Sequence, residues 1–378
     1  MRAIYLDYAA TTPMDERVVQ AMLPYMTQQF GNPSSLHVFG REARQAVARA
    51  RRQVAMLLGA QPEEIFFTSG GSESDNWALR GLAAANRSRG RHIITTAVEH
   101  HAVLNTCRQM ERQGWRVTYL PTDRAGQVSL ASLQAAMDED TVLVSIMTAN
   151  NEVGTLPPIA DLAAYTRQHH VLFHTDAVQA VGHIPIAVEA LSVDALSLSA
   201  HKLYGPKGIG VLYLRRGTAI EPLIAGGAQE RDLRAGTENV PGIVGLGCAA
   251  ALAGEELPLE MQRLRGLRDA LQHGVEAIEG AWINGSLTDR LPGNLNFGIA
   301  GIDAESLLIQ LDLAGFAVSA GSACSAGSLE PSAVLTAMGQ RPDQAGSAIR
   351  VTLGRWTTQT DIDAFLAALG SIAAKRIK

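Results

Sequence analysis

Cysteine is scarce in this sequence: three in 378 residues, Cys107, Cys248 and Cys324, widely spaced and with no CxxC pair. That excludes a disulfide framework and a thiolate metal site, and leaves each cysteine to be weighed for chemistry. Positive charge is not in excess either. Lys and Arg number 32 against 37 Asp and Glu, a formal net charge of −5, so the footprint needed to grip nucleic acid or an anionic membrane is missing. No uninterrupted apolar run reaches the length of a membrane span, and residues 1–20 hold no apolar signal core. The expectation is a cytoplasmic protein whose partners are small molecules and other proteins. At 47% hydrophobic and 378 residues, the chain is long enough for two domains, since single cores stop growing beyond roughly 250–300 residues.

From residue 60 onward, short β-rich runs ("EIFFTSG", "RHIITTAVEHH", "RVTYLP", "TVLVSIMTANN", "VLFHTDAVQ", "VDALSLSAHK", "GIGVLYLRR") alternate with segments of helical period such as "SESDNWALRGLAAANRS" and "ADLAAYTRQHH". This predicts an α/β domain with a mostly parallel sheet buried on both faces. The texture changes after a long helical stretch that breaks near Pro258. Shorter strands ("AWINGS", "NLNFGI", "AIRVTLGR") then mix with helices. The predicted division is a large α/β domain over 14–257 and a smaller α+β domain built from 1–13 and 258–378.

In open parallel sheets, ligands bind beyond the carboxyl ends of the strands. "EIFFT" is followed by "SGGSESDN", whose turn and first helical N–H groups, with the Ser72 hydroxyl, suit a phosphate; a plain helix start with Ser72 as cap and Asp75 three residues on explains it about as well. "RHIITTAVE" is followed by His100-His101, "TVLVSIMTA" by Asn150-Asn151-Glu152, "VLFHT" by Asp176 with Gln179, and "VDALSLSA" by His201-Lys202. Singly, each reads as a solvated loop residue. Jointly that reading does poorly, because Asp176 and Lys202 interrupt buried stretches, where a charge costs several kcal/mol unless it is compensated.

A lysine, a carboxylate and a phosphate cradle are what a pyridoxal 5'-phosphate enzyme requires. The lysine links the cofactor covalently, and an Asp beside the pyridine nitrogen keeps the ring protonated and electron-withdrawing. Lys202 and Asp176 are the candidates. The "GPKGIG" loop lacks the GxxxxGK[ST] spacing of a nucleotide site.

The runs "YLDYAATTP", "FGNPSS", "FTSGGSESDN", "EHHAVLNTCR", "NNEVGTLPPI", "HTDAVQAVG", "SLSAHKLYGPKGIG", "RAGTENV", "SAGSACSAGSLEPS" and "IRVTLGRWTT" are collinear over essentially the whole chain. Together they resemble the cysteine desulfurases of the NifS/IscS type, class V aminotransferase-like proteins of PLP fold type I (aspartate aminotransferase-like). The resemblance implies that Lys202 carries the cofactor, that Gly71, Ser72, Ser199 and His201 hold its phosphate, and that Thr237 reaches the phosphate of the neighbouring subunit of a homodimer. It implies Asp176 and Gln179 as partners of the ring nitrogen and the phenolic oxygen, and Asn151 near the ring oxygen and the substrate carboxylate. It makes His100 the ring-stacking proton carrier and Arg350 the clamp on the carboxylate of L-cysteine.

Cys107 and Cys248 lie in helical patterns and read as small apolar residues. Cys324 instead sits among Gly321, Ser322, Ala323, Ser325, Ala326 and Gly327, which build little core. The resemblance makes its thiolate the sulfur acceptor, so that L-cysteine becomes L-alanine and the persulfide on Cys324 passes to a scaffold or thiolation protein. Other members of the same cofactor fold, an aminotransferase or a selenocysteine lyase, remain open, as does a sulfur-relay or scaffold protein. A metal reading of His100, His101, His169, His170 and His174 has no supporting ligand spacing. Gly71-Ser72 stands where an Ala-Thr pair is common, and Ala200 where a glycine is. The sequence stops at Lys378, short of the tail the resemblance leads one to expect of housekeeping members, so the expected acceptor stays open between nitrogenase-type cluster assembly, general iron–sulfur cluster assembly, tRNA thiolation and DNA sulfur modification.

Overall fold

A computed structural model of the chain describes residues 3–321 and 331–375. Its strands are β1 (Ile4–Tyr5), β2 (Ile65–Thr68), β3 (His92–Thr96), β4 (Arg116–Leu120), β5 (Thr141–Ser145), β6 (Leu172–Asp176), β7 (Ala195–Ser199), β8 (Gly210–Leu214), β9 (Ala281–Asn284), β10 (Asn294–Ile299), β11 (Phe316–Ala317) and β12 (Ala348–Thr352).

The central sheet has seven strands in the order β2-β8-β7-β6-β5-β3-β4. All are parallel except β8, which runs antiparallel to both neighbours. Every residue of β2, β3, β5, β7 and β8 is buried, which is why these strands read as continuous apolar runs instead of alternating ones. Because β2, β3, β5, β6 and β7 point the same way, the segments that follow them gather along one edge.

A second, three-stranded antiparallel sheet, β12-β10-β9, supports a separate core that includes Leu295, Phe297, Ile349 and Val351. The N-terminus belongs to this part: β1 pairs with β11, and Leu6 lies in the same core. The predicted helix break at Pro258 does not occur, since one helix runs from Val240 to Glu276. An interior proline costs roughly 3 kcal/mol. The helix spans it because both halves are anchored: Ile243, Leu246 and Ala250 are buried in the large core, and Leu264, Leu267, Leu271 and Val275 in the small one, each large apolar side chain contributing about 1.5–3 kcal/mol. By length and composition alone this helix is apolar enough to cross a membrane, yet half of its most apolar window is buried. It packs on the helices Val38–Leu58 and Glu16–Thr27, as a core helix does.

Candidate active site

The edge where the parallel strands end carries a cavity of about 220 Å3. Gly71, Ser72, His100, Asn151, Asp176, Gln179, Ser199, His201, Lys202 and Arg350, all singled out from the sequence, line it. A larger cavity of about 630 Å3, between the N-terminal segment and Trp356–Asp361, contains none of them. Thr237 lies exposed outside the lining, and Cys324 lies outside the described residues.

Lys202 follows β7 in a single 3-10 turn, Ala200–Lys202. Its Nζ donates to the carbonyl oxygens of Ala9 at 2.5 Å and Ala10 at 2.7 Å. Gln179 Nε2 donates to the same Ala9 oxygen at 3.0 Å, and His201 Nδ1 is 3.0 Å from the Thr11 hydroxyl. The "AATT" run therefore closes over the lysine, which accounts for a motif that composition could not explain. Burial, with Lys202 and Lys207 nearby, lowers His201 to about 4, so its ring is neutral.

Asp176 ends β6 and is 6% exposed. Its Oδ1 accepts from Val178 N at 2.9 Å. Burial raises this carboxyl above its ordinary value, opposed by His100 and Lys202. Across from it, the helix Gly71–Ala85 begins with no side-chain cap. Ser72 is thus not the cap; the helix starts from Gly70 at φ 155° and ψ −179°, a conformation that is essentially glycine's alone. A Cβ on Gly71 would stand 2.6 Å from Val178 Cγ2. Two glycines bring the backbone N–H groups of a helix N-terminus to the cavity, where they favour an anion.

His100 caps the helix His101–Arg112 with Nδ1 accepting from Ala102 N at 3.1 Å. The neutral ring therefore carries its hydrogen on Nε2. Burial lowers its pKa, against the pull of Asp176. The chain turns into helix here instead of staying extended, and His101 is absent from the lining. Of the two asparagines, Asn150 ties its own loop together through Val98 O, Glu152 N and Val153 N. Asn151 lines the cavity, and its buried Oδ1 has no partner among the described residues.

Arg350, 1% exposed on β12, donates from Nη1 to Asn151 O and from Nη2 to Asp7 Oδ1, both at 2.8 Å, while its buried Nε has no partner among the described residues. An acceptor on Asn151 and a donor on Arg350 are thus left for a ligand, and both line the same cavity. The chemistry of this donor set fits pyridoxal phosphate: an amine, a carboxylate, a helix N-terminus for the phosphate, and a guanidinium for an amino-acid carboxylate.

The histidines of the metal reading are not brought together: His169 and His170 are exposed where the helix Ile159–Gln168 ends, and His174 is buried inside β6. Among the described residues, the close group is Asp75, His100 and Asp176. Three participants escaped the sequence reading. Asp7 sits in "YLDYAATTP" but had no partner to suggest a role. Asp75 passed for part of a helix start, and Glu99 was overlooked beside the histidines.

Residues 4–365 match the aminotransferase class-V family. The cysteine desulfurase IscS of Dictyoglomus turgidum is 52% identical over 375 residues, 99% of this chain and 95% of that protein. A solved NifS-like protein superposes with a TM-score of 0.93 at 42% identity, covering 99% of this chain and 100% of the other. SspA, solved in complex with cysteine, superposes with a TM-score of 0.83 at 38% identity over 94% of this chain and 99% of its own. The chain belongs to the aminotransferase class-V family, whose members here share PLP fold type I. Within that family it is a cysteine desulfurase, and its cofactor is pyridoxal 5'-phosphate.

Proposed function

We propose that this chain removes sulfur from L-cysteine at the cavity around Lys202, captures it on Cys324 and passes it to a protein thiol. The observation that supports this most is the convergence of Lys202, Asp176, Arg350 and the Gly70–Gly71 helix start on one cavity. Lys202 would hold the cofactor covalently. Asp176 would face its ring nitrogen and Gln179 its phenolic oxygen, with His100 against the ring. Gly71, Ser72, Ser199 and His201 would bind its phosphate. When bound, the ring draws electrons from the substrate α-carbon, which is what loosens the carbon–sulfur bond.

The protein's own groups do the rest. Arg350 offers its guanidinium edge to the substrate carboxylate, a bidentate task its planar fork suits, and Asn151 Oδ1 accepts beside it. His100 moves protons. To take one up at Nδ1 its ring must first release Ala102 N–H, so burial and the cap bond together hold it neutral until a thiol or ammonium proton is offered. The Cys324 thiolate bonds to the substrate sulfur as the carbon–sulfur bond breaks. The carbon gains a proton to give L-alanine and the sulfur stays as a persulfide, so no outside oxidant is consumed.

The sulfur then goes to an acceptor protein, an iron–sulfur scaffold or an enzyme that thiolates tRNA or DNA. We place the protein in the cytoplasm, where three widely spaced cysteines with no CxxC pair suit a reducing compartment, and assign it a homodimer in which Thr237 completes the partner's phosphate site. Residues 14–257 would form the cofactor domain, and 1–13 with 258–378 the domain bearing Cys324. The SspA neighbour, solved with cysteine, supports the substrate. The test is Cys324→Ser in the holoenzyme. The variant should keep its cofactor and still change colour with L-cysteine, while alanine release falls at least a hundredfold. Normal alanine release would remove Cys324 from the scheme.

A further inference from the structure

Asp75 is 1% exposed, lines the cavity and has no task in the scheme above. It lies in the helix Gly71–Ala85, and among the described residues its buried Oδ1 has no hydrogen-bond partner, while Ser197 beside it favours the charge of the carboxyl. Asp75, Asp176 and His100 each bring a polar atom within 4.8 Å of the other two. His174 Nε2 lies 3.7 Å from Asp75 Oδ1. That ring is no counter-ion: its nitrogens meet the hydroxyls of Ser145 at 2.9 Å and Ser197 at 3.0 Å, and burial lowers it to about 3. The remaining ionisable neighbours are unevenly shared. Lys202 favours the charge of Asp176, whereas Asp75 faces the like charge of Asp176 with no cation acting on it among the described residues.

Two carboxyls buried this close do not both ionise, and the one nearer the Lys202 amine keeps the charge. We infer that Asp75 is a positioning residue acting through Asp176: it stands beside Asp176 as an uncharged acid and leaves the single negative charge of the pair on Asp176. The inference rests on the reading of Asp176 as the ring-nitrogen partner. Burial of Asp75, and then the nearby Asp176, push its own carboxyl well above the ordinary range, in keeping with that division. An uncharged polar side chain of the same shape is what this division needs, so asparagine should serve and alanine should not.

The experiment compares Asp75→Asn, Asp75→Ala and Asp176→Ala holoenzymes by the visible absorption of the bound cofactor from pH 6 to 9 and by its rate of loss on dialysis, with no turnover required. Asp75→Asn should keep the band position and lose cofactor within threefold of the unaltered rate. Asp75→Ala should shift the band and lose cofactor at least tenfold faster. If both variants match the unaltered protein, or if Asp75→Asn fails as badly as Asp75→Ala, the inference is overturned. Should Asp75→Ala not fold, Asp75→Asn decides alone by keeping or losing the band. An unchanged band in Asp176→Ala would instead overturn the reading of Asp176 itself, and the inference with it.

Discussion

Arg350 Nη2 donates to Asp7 Oδ1 at 2.8 Å, joining residues 343 apart in the chain. The pair draws the N-terminal segment onto β12 and fixes the guanidinium, whose buried Nε has no partner among the described residues. Both groups are largely shielded from water, so the contact falls in the class of charge-assisted bonds that contribute about 1.5–3 kcal/mol. Among the described residues, Asp7→Ala leaves the guanidinium held by Asn151 O. Because Asp7 aims a group that binds the substrate carboxylate in ground and transition state alike, its loss should appear in KM: a rise of about tenfold for L-cysteine, with kcat within about threefold. Steady-state kinetics decides, and a fall in kcat at constant KM would contradict the orienting role.

Lys202→Ala tests the covalent anchor. The amine sits in a turn closed by the Ala9 and Ala10 carbonyls, so removing it deletes the one lysine that lines the cavity among the described residues. The variant should purify without the visible band of the bound cofactor, and reduction with borohydride should fix no cofactor to the chain. A yellow variant that resists dialysis would place the linkage elsewhere.

Much of the site was legible because it is built on strand ends. Lys202 and Asp176 could be found one at a time by asking which polar residue terminates an apolar run, and the parallel sheet then brings those ends to one edge. What lay across the sheet from them was not legible. Asp7 acquires meaning only when β1 pairs with β11 beside β12, a contact spanning more than 300 residues. Asp75 looked like an ordinary helix-start acid because sequence spacing cannot show which helix face is buried. The continuity of the Val240–Glu276 helix through Pro258 was missed for a related reason: local propensity argued for a break, and burial at both ends, invisible locally, outweighed it.

Glu99 offers a pH test that is independent of catalysis. It is 2% exposed, and its Oε1 accepts from Thr96 Oγ1 at 2.7 Å and Met147 N at 3.0 Å, while its buried Oε2 has no partner among the described residues. Burial raises this carboxyl to about 8, so the folded protein holds a proton there that the unfolded chain gives up near its ordinary 4.5. The folded state then binds more protons between those values, and stability is full below pH 4.5 and falls as pH rises toward 8, by about 1.4 kcal/mol per pH unit. His174, lowered to about 3 from 6.5, has the opposite sign and costs stability as pH falls through that window. Glu99→Gln keeps an acceptor at Oε1 and removes the titration. Its apparent thermal midpoint, measured on the holoenzyme, should lie near that of the unaltered protein at pH 5 and clearly above it at pH 8. Equal differences at the two pH values would mean that Glu99 carries no proton in the folded protein.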